Sequence, residues 1–135
     1  MDSLPADARL LAYSALLSWL LIMLAPTVRN REWTWAGLKI GLGNRDQLPE
    51  TTPLVGRAER AARNALENLV LFVACLVAAR MAATEQSTLD LGARLFFWGR
   101  VGHAACYLAG IPYLRTLAWA VGVVGTGILA AAAIA

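Results

Sequence analysis

Four apolar stretches, each long enough to cross a bilayer, take up most of this 135-residue chain. They run over about residues 10–28, 56–83, 89–109 and 112–134, the apolar part of the second being residues 66–83. At ~1.5 Å rise per residue, a helix over any of them covers a ~30 Å hydrocarbon core. Composition agrees: 59% of residues are hydrophobic, 16% are charged and the mean hydropathy is +0.55, whereas a soluble domain is about a quarter charged. The expected fold is all-α, a polytopic membrane four-helix bundle. No linker, low-complexity tract or repeat divides the chain, so residues 1–135 read as a single integral-membrane domain.

Local punctuation refines this outline. Pro112 suits the first turn of the fourth helix, where its missing N–H would have no partner anyway. The link Gly110-Ile111 is then so short that helices three and four must be antiparallel neighbours. The N-terminus lacks a basic region ahead of its apolar stretch, so a cleavable signal peptide is not expected. Cys75 and Cys106 lie in apolar segments without ligand spacing and read as packing residues, with no metal site. Gly122, Gly125 and Gly127 read as close-packing positions.

Orientation follows from the basic residues. Of the 12 Lys and Arg, the segment from Arg29 to Arg63 carries seven, Arg29, Arg31, Lys39, Arg45, Arg57, Arg60 and Arg63, and Arg115 flanks the other turn on that side. The other side has Arg9, Arg80 and Arg94, offset by Asp2, Asp7, Glu85 and Asp90. The positive-inside rule puts both termini outside and the long loop in the cytoplasm. That loop is turn-rich from Gly41 to Pro53 and is expected at the interface, with Trp33 and Trp35 in the aromatic belt.

Ionisable residues within the apolar segments carry the functional reading. Arg60, Arg63, Asn64 and Glu67 recur at i, i+3, i+4 and i+7, and Arg100, His103 and Tyr107 at i, i+3 and i+7, so each set shares a helix face. With Arg29, Arg115 and Thr116 they converge on the cytoplasmic side. Such groups are expensive in lipid and usually face a protein interior or a binding site. Glu67 and Arg100 lie deepest and are expected to pair across helices, as a structural bridge or as part of a site. Arg57 reads as a snorkelling side chain. The cluster is suited to a small anionic molecule.

The stretch Arg60-Ala61-Ala62-Arg63-Asn64-Ala65-Leu66-Glu67-Asn68 resembles the second-helix signature of the MAPEG family, membrane-associated proteins of eicosanoid and glutathione metabolism. Arg100-x-x-His103-x-x-x-Tyr107 and Arg115-Thr116 look like its glutathione transferase and prostaglandin E synthase branches. The resemblance covers the whole chain, with two departures. Ala62 stands where the family often has His, and the segment from Tyr107 to Arg115 is a residue short. The resemblance implies a homotrimer binding glutathione between subunits. Arg63, Asn64, Glu67, His103 and Tyr107 match its glutathione contacts, with Arg100 beside them and Arg29 supplied by the adjacent subunit. Arg115 matches an arginine that stabilises the thiolate, Thr116 replaces a serine, and Asp46 loosely matches a loop aspartate.

The residues suit that chemistry. Arginines match the carboxylates of glutathione, and Glu67 offers an acceptor for its ammonium group. A thiol of pKa ~8.5 is only a few per cent thiolate near neutral pH, and a cation such as Arg115 raises that fraction. Tyr107 or Thr116 would donate a hydrogen bond to it. The expected activity is conjugation of a lipophilic electrophile, or reduction of a lipid hydroperoxide, reached through membrane lipid. The competing reading is a non-catalytic lipid- or partner-binding protein of the same fold. A transporter is disfavoured by the lack of repeated halves, and no nucleic-acid partner is expected.

Overall fold

The computed structural model describes residues 4–135, and these form five helices and no strand. Helix α1 spans Ala6–Asn30, α2 Trp35–Leu42, α3 Pro53–Met81, α4 Gln86–Ala109 and α5 Pro112–Ile134. Short-range chemistry accounts for their ends. Thr52 accepts a hydrogen bond from the Val55 N–H while Pro53 opens the first turn of α3. Gly110 ends α4 in the left-handed conformation at φ 79°, and Pro112 starts α5. The loop between the first two long helices contains α2, an element the sequence expectation does not include. Thr34 caps it through the Gly37 N–H, ahead of the turn-rich stretch that begins at Gly41.

Three helices, α1, α3 and α5, are long and apolar enough to cross a membrane. Helix α4 has the length, but it carries Asp90, Arg94, Arg100 and His103. It packs against α1, α3 and α5 together, so neighbouring helices shield much of this polar content. Large apolar side chains remain exposed along the long helices, among them Trp19, Val70, Leu71, Trp98, Leu117 and Val124. Bilayer lipid or another subunit is the natural cover for such a surface.

The core has two centres. One joins Phe72, Leu76 and Ala79 of α3 to Leu89, Ala93 and Phe96 of α4 and Leu129 of α5, with Phe72 and Phe96 stacked at 3.9 Å. The other is built from small residues, Ala58, Ala62 and Ala65 with Leu21, Ala25 and Ala104, and draws α1, α3 and α4 close together. Among the long helices the tightest contact is between α4 and α5. A Cβ on Gly99 would lie 2.5 Å from the Gly122 nitrogen, and one on Gly125 would lie 2.7 Å from the Phe96 nitrogen. Backbones meet there because no side chain intervenes. Gly127 takes no part: no atom of another described helix lies within 4 Å of its Cβ position, so within the subunit it faces open space rather than a packed neighbour.

At the end of the molecule that holds the N-terminus of α1, a polar network replaces apolar packing. Asp7 is fully buried and receives Arg80 through both oxygens, at 2.6 and 2.8 Å. Gln86 donates to Asp7 and to Asp90, and Asp90 accepts the otherwise orphan Asp7 N–H at 3.1 Å. The network ties α1, α3 and α4 together. Arg80→Ala leaves the Asp7 carboxylate buried without its cation and is expected to cost ~3 kcal/mol. The check is thermal unfolding in detergent, with Glu85→Ala, an exposed neighbour, left unchanged.

Candidate functional site

At the opposite end of the long helices, Tyr107 is the meeting point of three helices. Its ring lies on α4, half-buried, with the His103 ring edge-on at 5.2 Å. The Arg60 guanidinium of α3 stands 6.0 Å from its centre and that of Arg115, from the first turn of α5, stands 4.6 Å away. The Gly110-Ile111 turn makes this possible, since it returns the chain within two residues and sets Arg115 back over α4. Arg57 lies against Gly110, where a Cβ would come within 3.4 Å of its guanidinium. The arrangement is a tyrosine ring among cations, and the concentration of positive charge is a setting that attracts an anion.

Beneath it, Arg100 is 4% exposed and donates to the Asn64 side-chain oxygen at 2.9 Å. Its guanidinium lies 5.9 Å from the Phe96 ring and crosses α5 at Gly122, whose lack of a side chain makes room for it. The expected pairing of Arg100 with Glu67 is absent among the described residues. Asn64 and Glu67 are three positions apart, so Asn64 points to α4 while Glu67 is rotated onto the exposed strip of α3. Arg100 therefore meets a neutral acceptor. Its Nε and Nη2 are buried without partners.

The face that periodicity assembled on α3 thus divides. Arg60 and Asn64 reach towards α4, whereas Arg63 and Glu67 are exposed. Arg29, half-buried at the end of α1, pairs with Glu59 of its own chain at 2.6 Å and donates to Thr51 at 3.1 Å. Thr116 is exposed, and its hydroxyl donates to the Pro112 carbonyl at 3.2 Å. Ala62 is buried in the small-residue core, so no polar group replaces the absent His there. Asp46 is exposed in the connection after α2. Cys75 and Cys106 are free thiols, and no group of metal-ligating side chains forms among the described residues.

Periodicity did not reveal the Asp7–Arg80–Gln86–Asp90 network or the Arg29–Glu59 pair, because each joins residues at least 30 positions apart or on different helices. Asn30, 3% exposed and donating to Glu32 at 3.0 Å, was missed for a different reason, since it sits at a helix end with no repeating pattern. Only the clustering of charges at opposite ends of the spans hinted at these contacts.

The MAPEG family model matches residues 9–135, essentially the whole chain. The chain belongs to the MAPEG family. With three apolar helices of spanning length, this MAPEG protein is an integral membrane protein. The family includes glutathione transferases, peroxidases and non-catalytic members. A comparison with curated proteins returns no match.

Proposed function

We propose that this MAPEG protein is a membrane-bound glutathione-dependent transferase that also reduces lipid hydroperoxides, working as a homotrimer of four-helix bundles. The observation that carries the reading is the Tyr107 hydroxyl-bearing ring lying between Arg60 and Arg115 at one end of the apolar helices. The exposure of Arg63 and Glu67 on a membrane helix supports the subunit arrangement. A carboxylate and a guanidinium facing lipid would be costly, and a neighbouring subunit together with a zwitterionic ligand covers them both.

In this reading Arg63, Glu67 and Asn64 bind the charged ends of glutathione, with Arg29 at the edge of the site. Arg100 holds Asn64 from below, and His103 holds the Tyr107 ring. Arg115 favours the thiolate, with Tyr107 donating a hydrogen bond to it and Thr116 beside it. Attack on an electrophilic carbon forms a C–S bond as the leaving group departs. Attack on a hydroperoxide breaks the O–O bond, and a second glutathione completes the disulfide as alcohol and water leave. By the positive-inside rule the site faces the cytoplasm and both termini lie outside.

The test is glutathione binding to the purified, detergent-solubilised protein, read by thiolate absorbance. Saturable binding with a thiolate signal is expected, and Arg63→Ala or Glu67→Gln should each weaken it about tenfold, the worth of one charge-assisted hydrogen bond. Two features favour the second reading, a non-catalytic lipid- or partner-binding protein: the Thr116 hydroxyl is engaged by its own helix, and Ala62 offers no polar group. An absence of binding at saturating glutathione would select it.

A further inference from the structure

We infer that α2 is a docking surface for anionic phospholipid. Helix α2 packs on α1 alone among the described residues. Gly37 fixes it there, since a Cβ on that residue would overlap the Asn30 and Arg31 carbonyls at the end of α1. Arg31, in the left-handed conformation at φ 54°, turns the chain at that point, and four residues later α2 begins. A helix seated this close to the end of a membrane span lies at headgroup level.

The face of α2 turned away from Gly37 has no protein partner. Trp35, Leu38, Lys39 and Leu42 recur at i, i+3, i+4 and i+7, and all four are exposed, Trp35 at 72% and Leu42 at 81%. Trp33, 67% exposed, extends the patch. Apolar side chains with tryptophan and a cation on one short helix are the composition of an interfacial helix.

Charge selects the lipid. The face carries no carboxylate. Nearby Glu32 is turned inward, accepting from Thr27 and Asn30, and Glu59 is taken by Arg29. Among the described residues no carboxylate pairs with Arg31, Lys39 or Arg45. Lys39 lies 5.4 Å from the Trp35 ring, and Arg45 closes the end of α2 by donating to the Gly41 carbonyl. Arg31 and Trp33 also line a cleft of about 430 Å³ with Leu54 and Val55; Glu50 and Arg29, the latter already paired with Glu59, line it too, so Arg31 is the cation there that a phosphate group would meet beside an apolar wall for its acyl chains. Lys39 and Arg31 hold the headgroup, while Trp33, Trp35, Leu38 and Leu42 enter the acyl boundary.

The test uses the whole chain in nanodiscs, with Trp19, Trp98 and Trp119 replaced by Phe because they too are exposed on the membrane helices. Fluorescence of Trp33 and Trp35 is quenched by brominated phosphatidylglycerol or brominated phosphatidylcholine at matched bromine content. Preferential quenching by phosphatidylglycerol is expected, roughly fivefold in apparent lipid affinity for each basic side chain engaged. Arg31→Glu with Lys39→Glu should abolish the preference, and so should high salt acting on the unreversed protein, which needs no charge variant to fold. Equal quenching by both lipids overturns the proposal. So does a preference that survives charge reversal and salt, or quenching by aqueous acrylamide undiminished in anionic discs, which would point to a soluble protein partner.

Discussion

Arg115→Ala is expected to remove the thiolate absorbance of bound glutathione and to lower conjugation about a hundredfold, the effect of deleting one preorganised charge at a reacting anion. Binding itself weakens far less, because in the proposed arrangement the carboxylates and ammonium of glutathione are held by Arg63, Asn64 and Glu67. Arg115→Lys restores a cation at the same turn of α5 and recovers part of the signal, without the planar fork that packs on Tyr107 at 4.6 Å. Tyr107→Phe keeps the ring that Arg60 and His103 pack against and removes only the hydroxyl. It separates hydrogen bonding from ring placement. Absorbance titration against pH reads all three variants. An Arg115→Ala protein with an unchanged thiolate titration would show that the cation acts elsewhere.

Gly99→Ala is expected to destabilise the protein by about 3 kcal/mol, at the upper end of overpacking effects. The added Cβ would meet backbone on every side, the Gly122 nitrogen at 2.5 Å and the Ala118 oxygen at 2.9 Å. Backbone cannot rotate aside as a side chain can, so α4 and α5 must separate. Separation also disturbs Arg100, which crosses α5 at Gly122. Gly127→Ala is the matched control. Its Cβ enters open space, and the substitution should be neutral or stabilise α5 by ~0.5–1 kcal/mol through helix propensity. Unfolding in detergent followed by circular dichroism compares the two. Similar melting temperatures for both variants would contradict the close α4–α5 seam.

The all-helical class was legible because apolar runs of spanning length leave few alternatives, and the start of α5 at Pro112 was legible because proline acts locally; α3 starts at Pro53, three residues ahead of the expected 56, because Pro53 opens the helix rather than closing the loop. The division of labour within a helix face was not. Three-residue spacing put Asn64 and Glu67 together, yet the ~60° between them decides which one meets Arg100. The meeting of Arg60, Tyr107 and Arg115 needed helix packing, although the short link after Gly110 already required α4 and α5 to be neighbours. Helix α2 was hidden because eight residues with two glycines are too short for their i, i+3, i+4, i+7 spacing to stand out from a loop. Its cap, Thr34, was the readable clue. The network around Asp7 depends on side chains brought together from three helices, and helical periodicity does not encode which charges meet across them.

The two-residue turn at Gly110 also bears on how the chain enters the bilayer. In the proposed topology α4 crosses the membrane, yet each Asp or Arg near the middle of a lone inserting helix opposes entry by ~2.5–3.5 kcal/mol. Helix α5 is the most apolar of the spans, with a hydropathy of 2.1. Gly110-Ile111 leaves too little chain for the two to part, and the glycine seam lets them pair at once along their length. In that topology insertion of α4 is expected to depend on α5: a ribosome stalled before α5 emerges would leave α4 outside the hydrocarbon, and the completed hairpin would carry it in.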